Sequence, residues 1–362
     1  MAVFPHYSAR TRGSVRFRLA VLLSLFAAAA GALVADEVSP SGREALLLRM
    51  EQVMGPLPTR ERRCDLAVQV VSETDCGDYL RRDLTYQSEP RSRVPAFLLL
   101  PKGALKSELR RTFPAVLALH QTHAAGRRVV VGLGNSPDDE YGVELVRRGF
   151  VVLAPAYPQL ADYAPDIRAL GYESGTMKAV WDNIRGLDLL ASLDSVRTNQ
   201  EFGCIGHSLG GHNGLFTAAF DSRIRVVVTS CGFDSFRDYR GANPDLWREG
   251  QGWCQLRYMP RLAAFRGRLD AIPFDFPEVL AAIAPRRVFV NAPKGDTNFG
   301  WESVDRVVAT TLRLSRSAGS GAGADAMEPF ITVRHPDGPH RFPPEMREEA
   351  YRAIERGLRI PR

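Results

Sequence analysis

Apolar residues along this chain follow two rhythms. Five short, nearly unbroken apolar runs occupy 115–119, 150–154, 202–205, 226–230 and 288–291, each too short for a helix. Runs of this kind suit strands covered on both faces. Between and after them the spacing changes. Met177, Val180, Trp181, Ile184 and Leu187 fall on one helical face, and Met346, Ala350, Ile354 and Leu358 repeat one turn apart behind Pro343 and Pro344. Strands alternating with helices predict an α/β fold whose mostly parallel central sheet has helices on both faces. Ahead of it, a helix is expected over 43–53, then strands at 66–71, 80–86 and 94–100 separated by polar turns, an antiparallel entrance to the sheet. A last strand is expected at 330–333. Residues 315–326, rich in Gly, Ala and Ser, read as a surface loop.

The segment 232–276 breaks this rhythm. It mixes Phe233, Phe236, Tyr239, Trp247, Trp253, Tyr258, Phe265 and Phe274 with many charges. An insertion there could wall a substrate pocket or form the core of a small subdomain, and both readings stand. Its several arginines are balanced by nearby acids.

The first residues carry Arg10, Arg12, Arg16 and Arg18 without an acid, then an uncharged apolar run over 19–35 that closes on small residues. This is the pattern of a cleaved secretory signal peptide rather than a membrane anchor. The expected organisation is therefore signal peptide 1–35, N-terminal extension 36–78 and catalytic domain 79–362, with 232–276 as a cap-like insertion. Setting the four leader arginines aside takes the formal charge from +6 to +2. No basic stretch interleaved with aromatics remains, so nucleic acid is not an expected partner, nor is a membrane once the leader is removed. For an exported protein, secreted or periplasmic, Cys64 and Cys76 flank one predicted strand and are open to a disulfide or to free thiols. Cys204 and Cys231, inside apolar runs, are expected to be buried.

Chemistry concentrates at Gly206-His207-Ser208-Leu209-Gly210, which follows an apolar run and precedes a helical pattern. Glycines two positions either side of a serine allow a sharp strand-to-helix turn that presents the hydroxyl at a helix start, where N–H groups can hold an oxyanion. A serine hydroxyl needs a base and a group that orients the base. In a sheet of this kind the order is nucleophile, acid, base. His340 is the candidate base, chosen over His335 because it lies further along the loop after the last strand. Asp296 is the first carboxylate after the penultimate strand, with Glu302 in reserve. The oxyanion donors are expected to be the N–H of Leu209 and that of Thr122, or of its neighbour Gln121, in the loop after 115–119. A rival chemistry would use His120-x-x-His123 as metal ligands, but two ligands fall short of a catalytic zinc site. No metal or other cofactor is expected.

These residues resemble an α/β-hydrolase, nearest to the dienelactone-hydrolase-like and prolyl-oligopeptidase-like serine esterases. The resemblance runs over 80–358 and is carried by Leu119-His120-Gln121-Thr122, by the stretch from Gly203 to His212 around the serine, by Asp296-Thr297-Asn298-Phe299 and by Gly338-Pro339-His340. It implies Ser208, Asp296 and His340 as the triad and an insertion between the sixth and seventh strands. Serine stands where dienelactone hydrolases carry cysteine. The implied activity is cleavage of a small-molecule or carbohydrate ester through an acyl-enzyme. The alternatives are a serine peptidase of prolyl-oligopeptidase type and a non-catalytic binding module on a hydrolase scaffold.

Overall fold

In the computed structural model, described over residues 42–106, 108, 112–197, 199–317 and 330–359, the apolar runs are strands of one sheet. In chain order the strands are β1 (Gln69–Asp75), β2 (Tyr79–Glu89), β3 (Ser92–Pro101), β4 (Ala115–Leu119), β5 (Val151–Pro155), β6 (Phe202–His207), β7 (Ile224–Ser230), β8 (Arg287–Asn291) and β9 (Ile331–Arg334). Their spatial order is β1-β2-β3-β5-β4-β6-β7-β8-β9. From β1 to β5 the neighbours pair antiparallel, and from β5 to β9 they pair parallel. The signal peptide expected at 1–35 lies outside the described residues, as does most of the loop expected at 315–326.

Alternation along the central strands fills two cores. In β4, Ala115, Leu117 and Leu119 enter one cluster while Val116 and Ala118 enter the other, as the two-residue period of a strand requires. The first core is closed by α1 (Gly42–Met54), α3 (Gly175–Ser192), α4 (Leu209–Phe220), α5 (Phe276–Ile283) and α6 (Trp301–Ser317). The second is closed by α2 (Tyr141–Arg147) and α7 (Pro344–Gly357), whose Ala350 and Ile354 are fully buried. Each large aliphatic side chain so removed from water contributes about 1.5–3 kcal/mol before entropy is subtracted. The fold is that of the α/β-hydrolases. The insertion joins β7 to β8, the seventh and eighth of the nine strands in chain order and the sixth and seventh counted from β2.

Two elements depart from the simple pattern. The first strand sits at Gln69–Asp75 rather than 66–71, and all of its residues are exposed. Its bounds come from pairing with β2, from Gln69 opposite Thr85 to Asp75 opposite Leu80, and not from burial. Helix α3 was expected to be amphipathic but is buried almost all round. Most of its polar side-chain groups find partners inside the fold, the Nε of Arg185 excepted. Lys178 pairs with Asp182 and, at 3.2 Å, with Glu89, and it donates to Ser88 Oγ at 3.1 Å. Tyr163 donates to Asp182 at 2.9 Å and Tyr172 to Glu89 at 2.9 Å. Residues from the N-terminal extension complete the seal: Arg62 pairs with Glu89 at 2.5 Å, and Arg185 of α3 donates to the Cys64 carbonyl at 2.5 Å. All five cysteines are free thiols, with Cys204, Cys231 and Cys254 buried.

Parallel register brings the carboxyl ends of the strands to one rim. Leu119 lies opposite Gly206, His207 opposite Ser230, and Ser230 opposite Asn291, which lies opposite Arg334. The loops that leave β4, β6, β7, β8 and β9 therefore start side by side, where open α/β sheets bind ligands.

Candidate active site

Ser208 directly follows β6 and heads α4. Its backbone has φ +51° and ψ −121°, a conformation that costs a non-glycine residue on the order of 1–3 kcal/mol. The turn is pinned on both sides: the Ser208 N–H donates to the Ser230 carbonyl at 2.7 Å, and the Ser208 carbonyl accepts from the His212 N–H at 3.0 Å. The flanking glycines are required by close approach. A Cβ on Gly206 would stand 2.2 Å from the Gly210 backbone, and one on Gly210 would stand 1.9 Å from the Leu119 carbonyl oxygen. The Leu209 N–H opens the first turn of α4, at the positive end of that helix.

His340 and Asp296 meet across the loops after β9 and β8. His340 Nδ1 lies 2.9 and 3.0 Å from the two Asp296 carboxylate oxygens. The Asp296 side chain is nearly inaccessible, and its Oδ1 also accepts the N–H groups of Asn298 at 2.7 Å and Phe299 at 3.2 Å. Burial alone would raise this carboxyl. The hydrogen bond and charge of His340, with the two backbone donors, outweigh it and hold Asp296 below the usual aspartate range. The loop bearing His340 is tied down by Gly295 N–H to Gly338 carbonyl at 2.9 Å and by Asn291 Nδ2 to Arg341 carbonyl at 3.0 Å. His335, by contrast, has one nitrogen on the Ala292 carbonyl and the other on Asp305.

Ser208 and His340 line one cavity of about 340 Å³, together with Gln121, Thr122, His207 and Leu209. Among the described residues no hydrogen bond joins the Ser208 hydroxyl to His340, a contact that in unliganded enzymes is often long and tightens with substrate. The loop after β4 is fixed by His120. Its Nδ1 lies 2.8 Å from the Gln121 carbonyl, which can only accept, and its Nε2 takes the Tyr157 N–H at 3.0 Å, so these main-chain partners assign a neutral ring with the proton on Nδ1. Burial, more than any neighbour, lowers its pKa to about 4. His123 Nδ1 accepts the Ala125 N–H. With these nitrogens committed to main chain, His120-x-x-His123 does not present a metal pair. Another grouping of possible metal-ligand atoms is Cys231, Asp296 and His340, within 4.8 Å of one another, yet two of the three are already bonded to each other.

The insertion supplies the rest of the wall and divides its aromatics between both expected roles. Phe233, Phe236, Trp247 and Phe274 are core, while Tyr239, Trp253 and Tyr258 face the cavity with Arg240, Gln255 and, from the loop after β8, Asn298 and Phe299. Thr122 Oγ1 meets the Tyr258 hydroxyl at 3.2 Å, linking the β4 loop to the insertion. Sequence reasoning singled out the aromatics but passed over Arg240, Gln255 and the role of His207. His207 is buried, its Nδ1 3.0 Å from Ser230 Oγ and its ring 4.9 Å from that of His340; burial first, then the His340 charge, lowers its pKa to about 3. A glycine-flanked motif signals the turn but not which way this ring points.

Behind Trp253 lies His212, stacked on it at 4.4 Å and fully buried, with neither ring nitrogen hydrogen-bonded among the described residues. Burial lowers its pKa to about 3. An imidazole neutral in the fold but titrating near 6.5 when unfolded contributes stability that is fully present above 6.5 and lost as pH falls from there toward 3. From pH 7.5 to 5 this costs the wild type about 2 kcal/mol that His212→Phe does not lose. Urea midpoints of the two proteins should therefore converge or cross in favour of the variant on acidification. Parallel profiles would remove His212 from this account.

No protein-family model matches the chain. A protein of Bacillus subtilis (strain 168), YtaP, provisionally named a hydrolase, is 25% identical over 319 residues, covering 85% of this chain and 97% of its own. Among solved structures, a glucuronoyl esterase from Solibacter usitatus superposes with a TM-score of 0.66 at 17% identity, over 87% of this chain and 91% of that one. A glucuronoyl esterase of carbohydrate esterase family 15 from Caldicellulosiruptor kristjansonii gives 0.63 at 18% identity, over 88% and 86%. Acetyl xylan esterase 1 from Thermoanaerobacterium sp. JW/SL YS485 gives 0.56 at 17% identity, over 88% and 94%.

Proposed function

We propose that this chain, an α/β-hydrolase in fold, is a secreted serine esterase acting on carboxylic esters of carbohydrates or small molecules. The observation that carries the reading is that His340, hydrogen-bonded to Asp296, shares one cavity with Ser208 at a strained strand-to-helix turn. In this reading Asp296 holds the Nδ1–H of His340, which leaves Nε2 to take the proton of the Ser208 hydroxyl as it attacks the ester carbonyl. The Leu209 N–H, with that of Thr122 or Gln121, receives the developing oxyanion. The protonated His340 then gives its proton to the departing alcohol, and a water activated by the same nitrogen releases the acid from the acyl-enzyme. No step calls for a cofactor.

Carbohydrate esters are proposed because the structural neighbours are named as glucuronoyl and acetyl xylan esterases. The motifs remain dienelactone-hydrolase-like, with serine replacing the cysteine nucleophile. Export rests on the basic and apolar pattern of 1–35, the proposed signal peptide. No helix among the described residues is long and apolar enough to cross a membrane.

The test is labelling with a fluorophosphonate, followed by peptide mass mapping, beside a panel of acetylated oligosaccharides, methyl uronates, p-nitrophenyl acyl esters and matching anilides. We expect the label on Ser208 and turnover of esters in preference to anilides, unaffected by chelators. Absence of both label and ester turnover would overturn the proposal, and preference for anilides would favour a peptidase.

A further inference from the structure

The insertion carries seven arginines, and their partners separate them into two groups. Arg237 pairs with Asp270 at 3.0 Å, Arg248 and Arg266 with Asp245 at 2.7 and 3.6 Å, and Arg261 with Glu173 at 2.5 Å. Arg240, Arg257 and Arg268 form no ion pair among the described residues. Arg240 alone of these three lines the cavity that holds Ser208. Its guanidinium donates to the neutral side-chain carbonyl of Asn298 and lies 5.9 Å from the Tyr239 ring centroid. Arg257 stands just behind the same wall, 5.7 Å from the ring of Tyr258.

No carboxylate lines this cavity to neutralise that charge. Asp296 is covered and committed to His340, and Asp238 is paired with Arg306 at 2.9 Å. The buried Asp234, which accepts the Gly300 N–H at 3.1 Å, is pushed up to about 8 by burial, so at neutral pH it is mostly uncharged. The balance of charge read from the sequence thus holds for the insertion as a whole and fails at the one place where substrate would sit. In the same cavity, Trp253 and Tyr258 meet edge to face at 5.3 Å and give an apolar, aromatic wall of the kind on which sugar rings rest.

Resting on the esterase reading above, we infer that Arg240 is a specificity-determining residue for esters of sugars that carry a free carboxylate apart from the scissile ester. The planar fork of a guanidinium matches a carboxylate in a way an ammonium does not, and the geometry leaves its charge unmatched by protein. The carboxylate is held and not transformed, so the covalent steps at Ser208 are unchanged by it.

The experiment compares O-acetyl glucuronic acid with O-acetyl glucose as substrates of wild type, Arg240→Gln, Arg240→Lys and, as a control outside the cavity, Arg268→Gln. The expected wild-type kcat/KM favours the uronate. In Arg240→Gln that ratio falls about tenfold to a hundredfold, the range of a lost charge-assisted pair, with the change in KM rather than kcat. Arg240→Lys recovers part of it, and Arg268→Gln keeps the wild-type ratio. Binding of free glucuronate and free glucose, followed by tryptophan fluorescence, gives a second readout that needs no turnover and should show the same order. Equal handling of the two sugars by wild type, or a ratio unmoved in Arg240→Gln, overturns the inference while leaving the esterase reading intact. If glucuronate binds through Arg240 but no ester is cleaved, the inference stands for binding and the esterase reading fails.

Discussion

Ser208→Ala lowers kcat on any ester substrate by about 10⁶-fold, the scale on which removing a nucleophile that acts as a unit with its base leaves only binding and the oxyanion donors. The expectation follows from position. Ser208 is the one hydroxyl at the head of α4, where the chain turns under two glycine contacts closer than any Cβ could tolerate. Among the described residues the Ser208 hydroxyl holds no hydrogen bond, so its loss should appear in turnover and in fluorophosphonate labelling, not in the thermal midpoint. Stopped-flow release of p-nitrophenol is the direct measurement: the wild type should show an acyl-enzyme burst and the variant none. Turnover within tenfold of wild type would remove Ser208 as nucleophile.

Asp296→Asn is expected to cost about 10⁴-fold in kcat, because an amide in place of the carboxylate no longer holds the proton on His340 Nδ1 and leaves Nε2 in the wrong tautomer to act as base. Glu302→Gln, at the reserve candidate for the acid, should leave kcat/KM within about twofold, since Glu302 is exposed at the start of α6. A large effect of Glu302→Gln with a small one of Asp296→Asn would reverse the assignment. The pairing also has a pH signature. A carboxyl held below its ordinary range adds stability that is present above the unfolded aspartate value, near 4, and is lost as pH falls through the depressed one; Asp296→Asn abolishes that acid limb.

Legibility in the sequence tracked burial. Strands β4 to β8 were visible because a strand packed on both faces must be apolar throughout, and a short apolar run has few other uses. Strand β1 was displaced by about three residues because an exposed edge strand is defined by its hydrogen-bonded partner, which leaves no trace in hydrophobicity. The polar side of α3 looked solvent-facing because Lys178, Asp182 and Arg185 read as surface residues, while their partners Glu89, Ser88 and the Cys64 carbonyl lie roughly ninety or more positions away in the chain. Ser208 announced itself through its glycines. Asp296 and His340 could be chosen only by knowing that parallel strands release their loops at one rim, and the bonded pair follows from that rim. Arg240 had no local signal: four of the other six arginines have an acid in space, and of the three without one only Arg240 lines the cavity.

The stretch between β7 and β8 contributes no strand to the sheet, yet it walls the cavity with Tyr239, Arg240, Trp253 and Tyr258. On the proposed reading, the bond-breaking groups leave the sheet while much of the wall that would meet the substrate comes from the inserted stretch. Selectivity can then drift over generations, or be redesigned in the laboratory, by rewriting a single loop-rich module while the reacting machinery stays as it is.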